Sequence, residues 1–346
     1  MIAPANHRPA DYSPKTALQK KLINRPRDVV TESLEGLALA YPNLLNIAYA
    51  PPVVWRKDAP VKGKVALISG SGSGHEPLNT GYVGRGMLDA ACPGGLFTSP
   101  TPDQYVAAMH AVEGGAGALF ITKNYTGGLL NMGMAKEMAE DEGFRVQTVL
   151  VNDDVAQNDP ENRRAMGATV LVEKIAGAAA EESRPLDHVA AVAQQVADRA
   201  RSMGLALTGC TSPRIGYPTF ELPADEFELG VGIHGERGRQ RRMLASADAM
   251  TEMMLEPIIQ DLGLTEGDNV LALVSGLGAT PLQELFIVFR HLHHSLAQRG
   301  IPVIRQLVGN YITSLDMAGC TITLLKLTPE LTRLWDAPVH TAALHW

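Results

Sequence analysis

The sequence predicts an α/β protein with two α/β domains, each with a central sheet flanked by helices. Its 346 residues suggest roughly two domains, and its 45% apolar residues are enough for two cores. Short apolar, β-rich runs alternate with helical segments in the first half, at Lys64–Ser69, Gly117–Lys123 and Val146–Val151. This alternation favours a largely parallel sheet, in which ligands bind at the carboxyl ends of the strands.

A domain boundary is predicted at the acidic segment Glu181–Pro185, which follows a run of alanines. The first domain then comprises residues 1–184 and the second residues 185–346. Residues 1–27 are expected to form a basic arm. Helices are expected at 28–40, 103–113, 129–141, 168–180, 185–203, 243–262 and 281–299, and a helix could also start at 82–88. Further strands are expected at 227–235, 269–275, 303–308 and 320–326, with irregular backbone at 92–102 and 335–339.

Composition limits the partners and the compartment. The formal net charge of −7 argues against binding to nucleic acid or to anionic membranes. Three widely separated cysteines, Cys92, Cys210 and Cys320, favour neither a zinc site nor a disulfide framework, so we expect a reduced, cytoplasmic protein. No apolar run reaches the ~18 residues that span a bilayer, and the first residues lack the apolar core of a signal peptide.

The most distinctive stretch is Gly70–Pro77, in which glycine alternates with serine before His75. Glycines would let backbone N–H groups approach a small ligand closely, because no Cβ intervenes. The spacing fits neither a Walker phosphate loop nor a dinucleotide-binding fingerprint. An ordinary flexible glycine–serine turn is an equally good interpretation of this stretch alone.

Two histidines lie beside glycine where a predicted strand meets a loop, His75 and His234. A neutral imidazole can add to a carbonyl group or take up a proton near neutral pH. A metal site would need further ligands that the spacing does not offer, so we expect none. Lys123 ends a buried strand, where its ammonium group could bind an oxygen-rich ligand.

Seven motifs resemble, in the same order, the ketone-binding subunit of the dihydroxyacetone kinase family, from about Lys20 to the end of the chain. They are Gly70–Pro77, Phe97–Pro102, Lys123–Gly127, Asp153–Val155, Gly230–Glu236, Leu277–Pro281 and Trp335–Pro338. The chain is too short for the all-helical nucleotide-binding domain of the single-chain kinases, so it resembles the separate-subunit form. That form works with a partner that holds ADP or ATP with Mg²⁺, so no cofactor is expected on this chain. In one branch a phosphotransferase-system component recharges the bound ADP.

The resemblance also implies roles for single residues. His234 matches the residue whose imidazole adds to the ketone and makes a hemiaminal, and His75 matches the residue that hydrogen-bonds the substrate and assists proton transfer. The implied substrate-binding positions are Gly72, Ser73, Gly74, Lys123 and Gly128. The expected assembly is a homodimer in which the His234 loop of the second domain covers the pocket of the first.

One of these positions departs from the family pattern. The family motif continues Lys-Asn-Tyr-Thr-Gly-Asp, and its aspartate is the acid–base partner of the phosphorylated hydroxyl, but Gly128 stands here. Losing a general base removes roughly 10²–10⁴ in rate. The pocket could instead suit a longer ketose such as four-carbon erythrulose, or phosphoryl transfer could depend mainly on positioning and charge. We expect a short-ketose kinase subunit; the alternative is a non-catalytic ketose-binding sensor or co-activator.

A second departure is the basic run Arg237–Arg242, directly after the His234 motif. A run of charges is usually a solvated loop. In this acidic chain it could also contact the transferred phosphate or an acidic partner surface, which is the interpretation we favour.

Overall fold

The computed structural model describes residues 20–236 and 238–346, and it contains two six-stranded sheets with helices packed against them. Residues 1–19 of the expected basic arm, and Arg237, lie outside the described residues. The helices are α1 (Val29–Ala40), α2 (Pro102–Val112), α3 (Thr126–Asp141), α4 (Ala168–Glu181), α5 (Leu186–Arg199), α6 (Ala247–Leu262), α7 (Leu282–Gln298) and α8 (Pro329–Asp336). The strands are β1 (Leu45–Tyr49), β2 (Pro52–Arg56), β3 (Ala66–Ser73), β4 (Gly84–Arg85), β5 (Ala90–Leu96), β6 (Ala118–Lys123), β7 (Val146–Val151), β8 (Ala200–Ala206), β9 (Glu226–Leu229), β10 (Gln240–Met243), β11 (Val270–Gly276), β12 (Val303–Gly309), β13 (Gly319–Lys326) and β14 (His340–Thr341).

The first sheet has the strand order β1-β2-β5-β3-β6-β7. Strands β5, β3, β6 and β7 are parallel, and the hairpin β1–β2 adds an antiparallel edge that the sequence patterns did not predict. Strand β3 is central and buried along its whole length. The carboxyl ends of β3 and β6 therefore lie side by side, as the pattern of strands and helices predicted.

The second sheet has the order β10-β9-β8-β13-β11-β12, and only β11 and β12 pair in parallel. The parallel arrangement predicted for the first half is therefore not shared by the second half of the chain. The reason lies in the connections, because parallel neighbours need a long crossover. Helix α7 supplies one between β11 and β12, whereas the chain returns from β12 to β13 through a loop and pairs antiparallel with β11.

Helices α4 and α5 lie in one hydrophobic core with residues of both sheets, among them Leu67 of β3 and Leu273 of β11. Every residue of α4 from Ala168 to Ala180 is buried. The fold class, two sheet-containing α/β units flanked by helices, is confirmed. The division at residue 184 stays a prediction, and it falls between two helices that pack on each other.

The glycine stretch is not the loop that its composition suggested. Strand β3 continues through Gly70–Ser73, because β5 runs beside it and pairs Gly70 with Cys92 and Gly72 with Gly94. The expected irregular backbone at 92–102 is accordingly wrong as far as Leu96. Both strands are rich in residues that weaken an isolated strand, so their pairing depends on tertiary contacts.

Other local differences concern the ends of elements. The expected helix at 82–88 is a 3₁₀ turn, Thr80–Tyr82, followed by β4. The helix expected to reach residue 203 stops at Arg199, where β8 begins, and the expected loop at 335–339 starts inside α8. Strand β9 ends at Leu229, so His234 lies in a loop, and β10 occupies part of the basic run.

Within residues 20–236 and 238–346, no helix is long and apolar enough to cross a bilayer. The three cysteines are buried and unpaired with one another. No group of three or more His, Cys, Asp or Glu side chains in the described part of the chain is arranged to hold a metal ion.

Candidate active site

A cavity of about 530 Å³ lies where the carboxyl ends of β3 and β6 meet the start of α3 and the loop between β9 and β10. Its size lies within the roughly 300–1,000 Å³ usual for small-molecule sites. It is lined by Gly70, Ser71, Gly72, Phe97, Thr98, Ser99, Tyr105, Thr122, Lys123, Tyr125, Gly127, Gly128, Asn131, Met132, His234 and Glu236. Predicted site residues from both halves of the chain thus meet at one cavity.

The glycines of β3 form a wall without side chains. A Cβ at Gly72 would lie 2.4 Å from the backbone nitrogen of Thr98, and one at Gly70 would lie 2.6 Å from the hydroxyl of Tyr105. Real Cβ atoms do not approach this closely, so glycine is required at both positions. The predicted backbone cradle is therefore sterically tight at Gly72.

Ser73 and Gly74, also predicted for the cradle, use their polar groups elsewhere. The Ser73 hydroxyl donates to the carbonyl of Gly94 (2.7 Å), and the Gly74 N–H donates to the carboxylate of Glu76 (3.0 and 3.1 Å). Neither residue lines the cavity. Gly74 has a φ of 108°, a conformation that favours glycine and turns the chain from β3 toward His75.

His75 is fully buried next to the cavity. Its Nδ1 lies 2.8 Å from the carbonyl oxygen of Thr313, and since a carbonyl can only accept, Nδ1 carries the proton. Nε2 then has a free lone pair, and it has no hydrogen-bond partner among the described residues. Burial, with the nearby charges of His234 and Lys123, lowers the pKa of His75 well below 6.5, so the ring is neutral at pH 7 and acts as an acceptor.

His234 forms a dyad with Glu236. The His234 Nδ1 lies 3.0 Å from Oε1 of Glu236, whose Oε2 accepts from the His234 backbone N–H at 2.9 Å. The carboxylate therefore fixes the proton on Nδ1 and leaves the lone pair on Nε2. Burial would raise the pKa of Glu236, but its hydrogen bond and charge contact with His234 outweigh this and lower the pKa to about 2.

Arg164 anchors the loop that carries the His234–Glu236 dyad. This guanidinium donates to the carbonyl of Gly230 (2.7 Å) and is paired with Asp154 at 2.5 Å. A Cβ at Gly232 would lie 2.3 Å from the Glu236 carboxylate, so glycine leaves the space that the carboxylate fills. The alternating glycines of the motif thus let the carboxylate fold back onto the histidine.

The two predicted histidines are in contact. Their ring centroids are 4.6 Å apart and the rings are nearly perpendicular, at 86°. The His234 ring also contacts Tyr125 (4.6 Å) and Phe97 (5.2 Å), and Phe97 stacks on His75. This aromatic box holds the His234 ring from several sides, while its side chain keeps 21% of its surface exposed.

Lys123 lies at the end of β6 with its ammonium nitrogen buried and without a hydrogen-bond partner among the described residues. Burial lowers its pKa to about 8, and the negative charges of Glu173, Glu236 and Glu76 oppose that shift. A buried cationic donor without a partner is costly, which is typical of a group that binds a ligand oxygen.

Gly128 lies in the first turn of α3 and lines the cavity. A Cβ there would lie 3.6 Å from the Lys123 carbonyl oxygen and 3.8 Å from the Ser99 hydroxyl, which are ordinary contacts. The backbone thus has room for a side chain, and the position carries no carboxylate.

Sequence reasoning missed four contributors. Phe97, Tyr125 and Glu236 were inside the quoted motifs but received no role. Phe97 and Tyr125 meet His234 from distant parts of the chain, and Glu236 meets it only because the chain turns at Gly235. Glu173 lies beneath the site on α4, fully buried. Its only signal is an acidic residue beside Lys174 in a helical run that is mostly apolar.

Part of the basic run is engaged by side chains of the same chain. Arg241 lies 3.5 Å from both Glu226 and Glu228, and Arg242 donates to the side chain of Gln240. Strand β10 is nonetheless exposed along its length. Its contact with a partner stays a prediction.

Comparison with known proteins gives the family. Residues 35–343 match the Dak1 domain. The chain belongs to the Dak1 domain family. The resemblance drawn from the seven motifs is therefore confirmed.

Relatives of this Dak1 chain include subunits, longer kinases and a regulator. The dihydroxyacetone-binding subunit DhaK of the PEP-dependent dihydroxyacetone kinase from Escherichia coli (strain K12) is 46% identical, over 94% of this chain and 99% of that protein. L-erythrulose 1-kinase from Mycolicibacterium smegmatis is 39% identical, over 93% of this chain but 57% of that protein. The solved structure of the dihydroxyacetone kinase operon co-activator Dha-DhaQ has a TM-score of 0.84 at 31% identity, and the match covers 90% of this chain and 96% of that one.

Proposed function

We propose that this Dak1 chain is the ketose-binding subunit of a dihydroxyacetone-type kinase, which holds a short ketose as a hemiaminal on His234 for phosphorylation. The observation that carries this proposal is the His234–Glu236 dyad, which leaves the Nε2 lone pair free on a histidine that lines the cavity together with Lys123. The relatives whose names specify dihydroxyacetone and erythrulose kinases support it.

In the proposed addition, Nε2 of His234 forms a bond to the ketone carbon as the carbonyl π bond breaks. The former carbonyl oxygen takes a proton, and Nδ1 gives one up, so the adduct has the mass of protein plus ketose. Glu236 stabilises the positive charge on the ring as the bond forms. Because only a carbonyl can react in this way, polyols such as glycerol are rejected without a size filter.

The other groups then position the hydroxyl that receives the phosphoryl group. The free Nε2 of His75 can accept its proton, and Lys123 can hold a ketose oxygen. A nucleotide-bearing partner would supply ADP or ATP with Mg²⁺, and a phosphotransferase-system donor is one source of the phosphoryl group. We propose a cytoplasmic homodimer for the assembly, from the family resemblance.

The room at Gly128 favours a ketose longer than three carbons. Its contacts leave space beside Ser99 that a carboxylate would fill. A four-carbon ketose such as erythrulose could place its additional hydroxymethyl group there, and the name of the Mycolicibacterium relative supports this choice.

The competing function is a ketose-binding co-activator. The missing carboxylate at Gly128 and the similar fold of Dha-DhaQ favour it. Both functions require the hemiaminal adduct on His234, but only the kinase function requires phosphorylation of the bound ketose.

The test has two measurements on the full chain. Intact-protein mass spectrometry with dihydroxyacetone or erythrulose should show a reversible adduct that is lost in His234→Ala. His110→Ala is the control, because His110 pairs with Glu142 at the surface and should not affect the adduct. An adduct that persists in His234→Ala would overturn the assignment.

The second measurement supplies the partner subunit, ATP and a panel of three- to five-carbon ketoses. Phosphorylated ketose should form in wild type and not in His234→Ala. Adduct formation without any phosphorylation would replace the kinase with the co-activator.

A further inference from the structure

The chain directly before α4 contacts two parts of the cavity wall that meet at His234. The guanidinium of Arg164 donates to the carbonyl of Gly230, in the loop between β9 and β10, at 2.7 Å. The carbonyl of Ala165, the next residue, accepts from the hydroxyl of Tyr125 at 3.0 Å. Since the Tyr125 ring contacts the His234 ring, two adjacent residues hold both the loop that carries His234 and an aromatic ring beside it.

Gly230 is the first residue of that loop, and both of its backbone polar groups are engaged. Its N–H donates to the carbonyl of Gly204 in β8 at 2.7 Å, and its carbonyl accepts from Arg164. Its φ of 81° favours glycine, and a Cβ there would lie 2.8 Å from the Cβ of Ala156. The path of the chain toward His234 is therefore set at Gly230, where Arg164 provides a contact from the first half of the chain.

The guanidinium of Arg164 also lies beside the dyad itself. A Cβ at Gly232 would lie 2.8 Å from Nη1 of Arg164 and 2.3 Å from Oε2 of Glu236. The guanidinium and the carboxylate are therefore on the same side of Gly232, where their opposite charges attract. One side chain thus contacts the start of the His234 motif and borders its end.

Asp153 and Asp154, which have no part in the proposed chemistry, fix the position of Arg164. The carboxylate of Asp154 pairs with the guanidinium at 2.5 Å, and both side chains are buried. The N–H of Asp154 donates to the carbonyl of Arg164 at 3.1 Å, and the carboxylate of Asp153 accepts from the N–H of Met166 at 2.7 Å. Because a buried guanidinium without a partner is costly, Asp154 determines where Arg164 can lie.

We propose that Arg164, held by Asp154, is a positioning residue for the proposed addition of a ketose to His234. Its contacts join the first half of the chain, which supplies the main-chain wall and Lys123, to the loop that supplies the dyad. They hold that loop where the His234 ring meets Tyr125 and lines the cavity. The role rests on the proposed function only for its effect on adduct formation, since the position of the ring can be measured without ketose or partner.

The neighbouring Arg163 provides a matched control. It is also buried, and it forms an ion pair with Asp261 of α6 at 2.5 Å. It donates in addition to the carbonyl of Gln157, and neither partner lines the cavity. A substitution at Arg163 therefore disturbs a comparable buried ion pair and leaves the contacts of Arg164 with Gly230 and Asp154 in place.

The test compares the rate of adduct formation with dihydroxyacetone or erythrulose, by quenched intact-protein mass spectrometry, in Arg164→Lys and Arg163→Lys. Lysine keeps the positive charge but lacks the planar set of donors that reaches Asp154 and Gly230 together. We expect a rate roughly 10- to 100-fold lower in Arg164→Lys, since a small displacement of a reacting group has effects of this size. Arg163→Lys should react as wild type does. A wild-type rate in Arg164→Lys, or equal slowing in both variants, would overturn the proposal.

A second variant covers the case in which Arg164→Lys does not fold, as circular dichroism would show. Asp154→Asn keeps the shape of the side chain and an oxygen acceptor but removes the charge that holds Arg164. Adduct formation should slow by roughly tenfold, because the guanidinium is then less firmly placed. A folded Asp154→Asn protein that forms the adduct at the wild-type rate would contradict the proposal.

The position of the His234 ring gives a readout that needs no ketose. In protein with labelled histidine and tyrosine, nuclear Overhauser contacts join the rings of His234 and Tyr125, whose centroids are 4.6 Å apart. These contacts should weaken in Arg164→Lys and persist in Arg163→Lys, and unchanged contacts in Arg164→Lys would count against the proposal. If wild type forms no adduct with any ketose while the ring contacts behave as expected, the proposed function fails and the positioning role stands.

Discussion

The two walls of the cavity are built in opposite ways. The wall from the first sheet is main chain, with glycine at positions 70 and 72 inside a strand that is buried along its length. The wall from the second sheet is a loop whose side chains carry the proposed chemistry, and His234 and Glu236 keep 21% and 33% of their side-chain surface exposed. A rigid wall sets the shape of the pocket, whereas an accessible loop leaves the proposed nucleophile open to an entering ligand.

The first prediction concerns the rigid main-chain wall of β3, where a substitution should have the largest effect. Gly72→Ala should destabilise the protein by roughly 1–3 kcal/mol and abolish the ketose adduct. The added Cβ would meet the backbone at Thr98, which cannot rotate away as a side chain could. Urea unfolding and intact-protein mass spectrometry measure the two effects.

The matched control for this change is Gly133→Ala, in the exposed part of α3. An added Cβ there meets nothing within 4 Å, so the variant should be equally stable or gain up to ~1 kcal/mol from helix propensity. Its adduct should form as in wild type. If Gly72→Ala behaves like this control, the glycines of β3 do not shape the pocket.

The second prediction concerns Glu236, whose replacement should weaken the dyad while the proposed nucleophile, His234, stays in place. Glu236→Gln should slow adduct formation by about 10²-fold, because the amide neither fixes the ring proton nor stabilises the developing charge as well. Stopped-flow or quenched mass spectrometry gives the rate. A rate equal to wild type would show that the carboxylate is only structural.

The pH dependence of stability gives a second test of the role of Glu236. Since the pKa of Glu236 is lowered to about 2 in the folded protein, its carboxylate contributes stability that is present above the ordinary pKa near 4.5. That contribution is lost as the pH falls from about 4.5 toward about 2. Acid unfolding between these limits should therefore be less steep in Glu236→Gln than in wild type.

The third prediction acts where the two walls meet, and its effect is the smallest. Gly128→Asp should fold normally, because the new side chain has ordinary contacts and an acid in the first turn of a helix is favourable. We expect faster phosphorylation of dihydroxyacetone and slower phosphorylation of erythrulose, by roughly tenfold or less, since a carboxylate adds a base and fills space. The adduct should form in both proteins. An unchanged preference between the two ketoses would remove Gly128 from the specificity of the pocket.

The sequence by itself determined the class of fold and the chemically distinctive residues. Alternating strand and helix patterns were sufficient for the parallel first sheet, because each crossover helix has its own periodicity. Seven ordered motifs were sufficient for the family, and they identified His75, His234 and the glycine at position 128. These features are local in the chain, so they are visible without knowing which segments meet.

Only the tertiary structure decided how these residues work together. Gly70–Ser73 form a strand because β5 supplies the hydrogen bonds, which no local propensity indicates. The proton positions on the two histidines depend on Thr313 and on the turn that brings Glu236 back to His234. Lys123 on β6 and Glu173 on α4 are buried by elements far apart in the chain, and each keeps a polar atom without a hydrogen-bond partner among the described residues.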